Sequence, residues 1–269
     1  MRPLNMKVRA AQRSIAGLLA PLDRLAAGSC HLIANHGANF ENGGETYELP
    51  RYLFVGPRAG DEPLRIGVFA AIHGDEPEGA HALVQFLELL EGQPEWVAGY
   101  RLFAYPVCNP TGFEDGTRHS RAGKDLNREF WRGSAEPEVR LLQSELVAHA
   151  FHGIISLHTD KDADGFYGVA QGATLAKHLL EPALAAASEA FLPRNSQPFV
   201  GGFQAREGVV TDWFKGTLGA PPKVRPRPFE ITLAAPAAQP TYLKQLALVT
   251  ALHTILAEYR KFIAFSVNL

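Results

Sequence analysis

The segment His73-Gly-Asp-Glu76 places an imidazole and a carboxylate three residues apart, directly after the apolar run at residues 66–72. If a strand ends there and a helix begins, both side chains can face one point, the arrangement a metal ion needs. A catalytic zinc site takes three protein ligands and keeps one position for water, and a His, Glu, His set is one way to build it. The third ligand must come from elsewhere in the chain. His158, at the end of Ile154-Ile-Ser-Leu157, is the candidate because its strand end should lie on the same sheet edge. His149 and His152 fall on or just past a helical stretch, where a surface position is the simpler reading. Any one of the ten histidines taken alone reads as a solvated or hydrogen-bonded residue. Placement lifts His73 and Glu76 above that, since Gly74 relieves the backbone and Pro77 can open a helix. Asp75 and Glu78 read as helix-start acids at the positive end of the dipole, outside the ligand set.

A second polar group lies in the long segment 109–130, which has no apolar periodicity. A loop of this length is usually functional. It carries Arg118, Arg121 and Arg128, whose guanidinium groups suit planar recognition of a carboxylate or stabilisation of an oxyanion. A solvated basic loop is the competing reading.

These residues need elements to position them. Residues 52–55 and 66–72 are short apolar runs rich in β-branched and aromatic residues, and both read as strands; so do 100–107, 154–158 and 229–233. Helical spacing runs over 76–90, 137–149, 173–190 and 242–262, and an amphipathic helix is marked by Ile15, Leu18, Leu19, Leu22 and Leu25. Strands alternating with helices predict an α/β fold whose mixed, largely parallel central sheet carries helices on both faces. The expected organisation is one catalytic domain over 1–269, with 1–45 as an N-terminal helical extension. In such sheets ligands bind beyond the carboxyl ends of the strands, and His73, Asn109 and His158 all follow strand ends, with Glu230 on or at the end of a fourth strand.

Hydrophobic residues make up 46% of the chain and charged residues 20%, a composition able to bury a core. Twenty-six basic against 28 acidic residues give a net charge of −2, which predicts no pull toward nucleic acid or an anionic membrane and points to a small-molecule partner. Cys30 and Cys108 form no CxxC pair and no disulfide framework, and no run approaches the length of a bilayer span, so a cytoplasmic location is expected.

Taken together, HxxE at 73–76, NPxGF at 109–113, TRxxxxGxDLNRxF at 117–130 and the later histidine at a strand end resemble the zinc carboxypeptidase superfamily. That superfamily holds the M14 metallocarboxypeptidases and the succinylglutamate desuccinylase/aspartoacylase branch, and its fold is the phosphorylase/hydrolase-like α/β fold. The resemblance spans residues 73–230, with Asp-Leu-Asn-Arg as its most specific part. It implies Zn2+ held by His73, Glu76 and His158, a substrate carboxylate gripped by Asn127 and Arg128 with Arg121 in reserve, and an oxyanion stabilised by Arg118. It also implies Glu230 as catalytic base. Asp125 would orient His73, as metal-bound imidazoles usually donate their other nitrogen to an acceptor. Thr111 and Pro228 depart from the peptidase pattern. The mobile tyrosine of many carboxypeptidases has no obvious counterpart here; Tyr167 either fills that space or packs on the sheet as an ordinary strand aromatic.

The implied reaction is zinc-dependent hydrolysis of an amide or peptide bond next to a free carboxylate, on a small molecule or short peptide. Only 39 residues follow Glu230, too few for a C-terminal β domain of the aspartoacylase kind, which inclines the expectation toward a carboxypeptidase. A deacylase of N-acyl amino acids, of the desuccinylase/aspartoacylase type, is the alternative. A catalytically silent ligand-binding module on the same fold is the third reading.

Overall fold

The computed structural model describes residues 13–37, 39–42, 44–171 and 173–266. Its frame is a ten-stranded sheet in the order β1-β4-β6-β5-β7-β12-β8-β11-β10-β9. These strands are β1 Leu32–Ala34, β4 Tyr52–Val55, β6 Tyr100–Tyr105, β5 Leu64–Ala70 and β7 Gly153–Asp160, followed by β12 Phe229–Pro236, β8 Tyr167–Ala170, β11 Val209–Val210, β10 Phe203–Arg206 and β9 Phe199–Val200. The four central strands β6, β5, β7 and β12 run parallel, while β4 and β8 flank them antiparallel. The short strands β2 (Asn39–Asn42) and β3 (Glu45–Glu48) pair separately as a hairpin.

Alternation along the strands divides the core in two. Ile66, Val68 and Ala70 of β5, with Leu102 and Ala104 of β6, pack under α1 (Ile15–Ala26), α2 (Pro77–Gly92), α6 (Glu181–Ala190) and α7 (Thr241–Ser266). The intervening Phe69, Phe103 and Tyr105 face the other way and meet Val139, Leu142 and Leu146 of α4 (Pro137–His149). Helices therefore cover both faces, as a sheet buried on both sides requires.

Two expectations are corrected. Among the described residues of 1–45 only α1 is helical; β1 and β2 follow it, and β1 pairs with β4 at the sheet edge, while residues 1–12, 38 and 43 lie outside the described residues. The helix expected over 173–190 is broken into α5 (Ala173–Leu175), a π-helical turn Ala176–Leu180, and α6. Pro182 lies in the first turn of α6, where it has no N–H to give the preceding turn and its ring would crowd the carbonyl four residues back.

Candidate metal centre and cleft

β5 ends at Ala70, and the chain reverses through Ala71, which holds a left-handed backbone at φ 48°. This costs a non-glycine residue about 1–2 kcal/mol. The turn is held by Cys108 N–H on Ala70 O and Asn109 N–H on Ala71 O, both 3.0 Å. Gly74 then passes so close to the next loop that a Cβ on it would fall 2.0 Å from the Gly112 carbonyl carbon. Asn109 caps α3 (Pro110–Asp115), accepting from Gly112 N–H at 2.9 Å. Two reversals are thus locked together, and they deliver His73 and Glu76 to the carboxyl edge of the sheet, with Pro77 opening α2.

There the imidazoles of His73 and His158 converge on Glu76. His73 Nδ1 lies 2.7 Å from Glu76 Oε1 and His158 Nδ1 lies 2.9 Å from Glu76 Oε2. All three residues are buried, and one ligand atom from each lies within 4.8 Å of the others. Asp125 Oδ1 stands 3.2 Å from His73 Nε2, the outer face of that ring. Arg118 bridges the two carboxylates, Nη1 to Glu76 Oε1 at 3.3 Å and Nη2 to Asp125 Oδ2 at 3.4 Å.

Burial pulls the His73 imidazole downward, but its bonds to Asp125 and Glu76 outweigh that and the net shift is upward. Burial likewise opposes ionisation of Glu76 and Asp125, yet the His158 and His73 imidazoles hold Glu76, and His73 with Arg118 and Arg128 holds Asp125, well below the usual carboxylate range. The group therefore draws positive charge toward the space between its ligand atoms. Two nitrogens and a carboxylate oxygen, buried and convergent, are a donor set that suits zinc.

The group opens into a cleft of about 420 Å³ also lined by Asn127, Arg128, Tyr167, Trp213 and Phe214. Asn127 sits in a single 3-10 turn capped by Asp125, and its Oδ1 accepts from Leu218 N–H at 2.8 Å. Arg128 donates to the Asn127 carbonyl at 2.8 Å, and its guanidinium carbon stacks 4.2 Å from the Phe214 ring centre. Tyr167 lies buried on β8 and donates to Asp160 Oδ2 at 2.8 Å, so it is both a packed strand aromatic and a wall of the cleft. A larger groove of about 660 Å³ beside α4 is lined by no carboxylate or imidazole.

Two expected site residues are not brought there. Arg121 is committed to the surface, with Nε on Asp115 Oδ2 at 2.8 Å, Nη1 on Glu45 Oε2 at 2.6 Å and its guanidinium over the Tyr47 ring. Glu230 is the second residue of β12 and pairs with Ile154, whereas the residue level with His158 is Ala234. Four residues of strand are about 13 Å, well beyond hydrogen-bond reach. The Glu230 carboxylate instead accepts from Arg227 Nη2 at 2.7 Å; burial nonetheless lifts its pKa.

Sequence reading missed Glu78 and Lys244. Lys244 Nζ lies 2.6 Å from Glu78 Oε1, and the lysine is buried in the cleft wall. Thr159 joins this pair to the metal-ligand group, its N–H on Glu76 Oε2 at 3.0 Å and its hydroxyl on Glu78 Oε2 at 3.2 Å. A signal existed, because Lys244 stands in the helical stripe continued by Ala247, Leu248, Ala251, Leu252 and Ile255, all buried.

The model of the succinylglutamate desuccinylase/aspartoacylase catalytic domain matches residues 64–199, the stretch holding all three convergent ligands. The chain belongs to this family. Among solved structures, this desuccinylase/aspartoacylase-family chain is similar in fold to a candidate metallopeptidase from Shewanella amazonensis, at 24% identity and TM-score 0.73, covering 89% of this chain and 90% of that one. A metallo-carboxypeptidase from Burkholderia cenocepacia is similar at 16% identity and TM-score 0.67, covering 92% and 68%. One from Pseudomonas aeruginosa, in complex with (2-guanidinoethylmercapto)succinic acid, is similar at 19% identity and TM-score 0.60, covering 88% and 67%. No curated protein matches the family member significantly in sequence. No helix among its described residues is long and apolar enough to cross a membrane.

Proposed function

We propose that the chain is a zinc-dependent hydrolase that cleaves an amide bond beside a free carboxylate, acting in the cytoplasm on a small molecule or short peptide, with residues 1–269 forming one catalytic domain. The observation that carries this reading is the convergence of His73, Glu76 and His158 in one cleft with Arg118 and Arg128. Bound there, zinc would supply a Lewis acid and a water with a pKa near about 7. Arg128, with its guanidinium over the Phe214 ring and Nη1 on the Asn127 carbonyl, has further N–H groups for a planar carboxylate, with the Asn127 amide beside it. That grip decides which amide bond reaches the metal ligands. Arg118 stands where it can donate to an oxyanion, a contact typically worth about 3–4 kcal/mol of barrier. Asp125 holds the outer nitrogen of His73.

The proton acceptor we assign is Glu78 rather than Glu230, because Glu78 lines the cleft and is tied through Thr159 to Glu76. It would accept the water's proton on its carboxylate and return it to the leaving nitrogen. Family membership favours an N-acyl amino acid over a longer peptide as substrate. A succinic acid derivative on the Pseudomonas aeruginosa carboxypeptidase of similar fold agrees with a small carboxylate ligand.

The distance of Glu230 from the cleft favours one second reading, a ligand-binding module without turnover. Turnover of N-acyl amino acids and dipeptides by zinc-loaded protein separates the two: hydrolysis supports the enzyme, tight binding with none supports the module. Within the first reading, Arg128→Lys should lower kcat/KM at least tenfold for free carboxylates and much less for the same compounds capped as amides. Equal losses would make Arg128 a brace for its loop and remove the case for a carboxylate-bearing substrate.

A further inference from the structure

Across the cleft from the metal ligands stands a corner of aromatic rings that the catalytic chemistry does not use. Trp213 and Phe214 meet edge to face at 5.2 Å, Phe203 lies 5.4 Å from the first and 4.8 Å from the second, and Tyr167 lies 6.5 Å from Trp213. The corner is braced by the backbone. Gly201, at φ 55°, passes so close that a Cβ on it would fall 3.3 Å from the Trp213 ring and 3.4 Å from the Phe214 ring. Yet the corner is not sealed: Trp213 and Phe214 line the cleft, and Phe214 is 36% exposed. Residues 203–214 also lie beyond the 64–199 match, so this wall belongs to the chain's own later segment.

We propose that Trp213, with Phe214 beside it, selects substrates whose carboxylate-bearing carbon also carries an aromatic side chain, namely N-acylated aromatic amino acids or short peptides ending in one. This rests on the reading of Arg128 as the carboxylate grip in a hydrolytic cleft. Phe214 is the ring on which that guanidinium stacks, and Trp213 is its next neighbour, so a side chain on the gripped carbon projects beside these rings. A flat ring gains area burial there and edge or offset stacking besides.

The test uses two simple acids that need no hydrolysis, 3-phenylpropanoate and butanoate, titrated calorimetrically into the zinc-loaded protein. The wild type should bind the phenyl acid at least tenfold more tightly. Trp213→Leu should shrink that ratio to about two- to threefold, and Trp213→Phe should restore most of it. In parallel, kcat/KM for N-acetylphenylalanine over N-acetylalanine should fall with the same variant. Should Trp213→Leu fail to fold, the wild-type ratio and its partial change in Trp213→Phe decide the matter. A Trp213-dependent binding preference without turnover of either N-acetyl compound would sink the hydrolytic reading and leave the aromatic selection standing. Equal binding of the two acids with turnover intact would overturn the aromatic selection alone, and binding of neither would overturn both.

Discussion

His73 and Glu76 were legible from sequence because three residues of spacing across a strand-to-helix turn is a local fact, and His158 because strand ends share an edge. Glu230 was not, because a base must be placed by strand register, and register appears only when β12 is laid beside β7 and Ala234 falls level with His158. Lys244 was hidden by the opposite error: a lysine on a helix is read as solvated, and only the stripe it interrupts marks it as buried. On the proposed assignment the two glutamates should differ in their effect on the reaction. With zinc content measured alongside, Glu78→Gln should lower kcat at least a hundredfold, while Glu230→Gln should stay within about threefold of the parent. A Glu230→Gln variant that loses all turnover at full zinc occupancy would return the proton transfer to β12.

At the scale of elements, the central strands stood out in the sequence as short apolar runs rich in β-branched and aromatic residues, and the long helices by a period of 3.6 that runs over many residues. The strands β8 to β11 did not, since none exceeds four residues and Gly201 and Gly202 interrupt them. Their absence from the reading is why the aromatic corner was missed. The two loops that build the metal-ligand group depend on each other through Gly74, whose missing Cβ lets the Gly112 backbone approach. Gly74→Ala should cost about 1–3 kcal/mol, or roughly 2–4 °C of Tm per kcal/mol, and weaken zinc binding in proportion. Thermal unfolding with and without zinc would show both. If Tm falls while zinc affinity holds, the loops move without disturbing the ligands.

Over the whole molecule, stability should carry a mark of Glu138, which is fully buried in the first turn of α4 with no close hydrogen-bond partner on its carboxylate, Thr111 and Asn42 being near enough only to offset part of the burial. Burial raises its pKa, and Glu136 nearby adds to the rise. Its contribution is fully present below the ordinary glutamate value of 4.5 and is lost as pH rises through the folded value, because the unfolded chain releases its proton first. Glu138→Gln should therefore gain Tm over the parent as pH is raised from 4 to 7, and a constant difference across that range would show that Glu138 ionises normally. The order of the sheet has another outcome, for how the chain can be cut. β12 arrives late in sequence yet lies between β7 and β8, so the matched stretch 64–199 holds both neighbours of a strand it does not contain. Expressed as a fragment, that stretch would leave the facing edges of β7 and β8 unpaired and ready to recruit other chains. It should aggregate, and a synthetic peptide covering 225–238 should suppress the aggregation by filling the gap, which makes the catalytic stretch an open template rather than an independent folding unit.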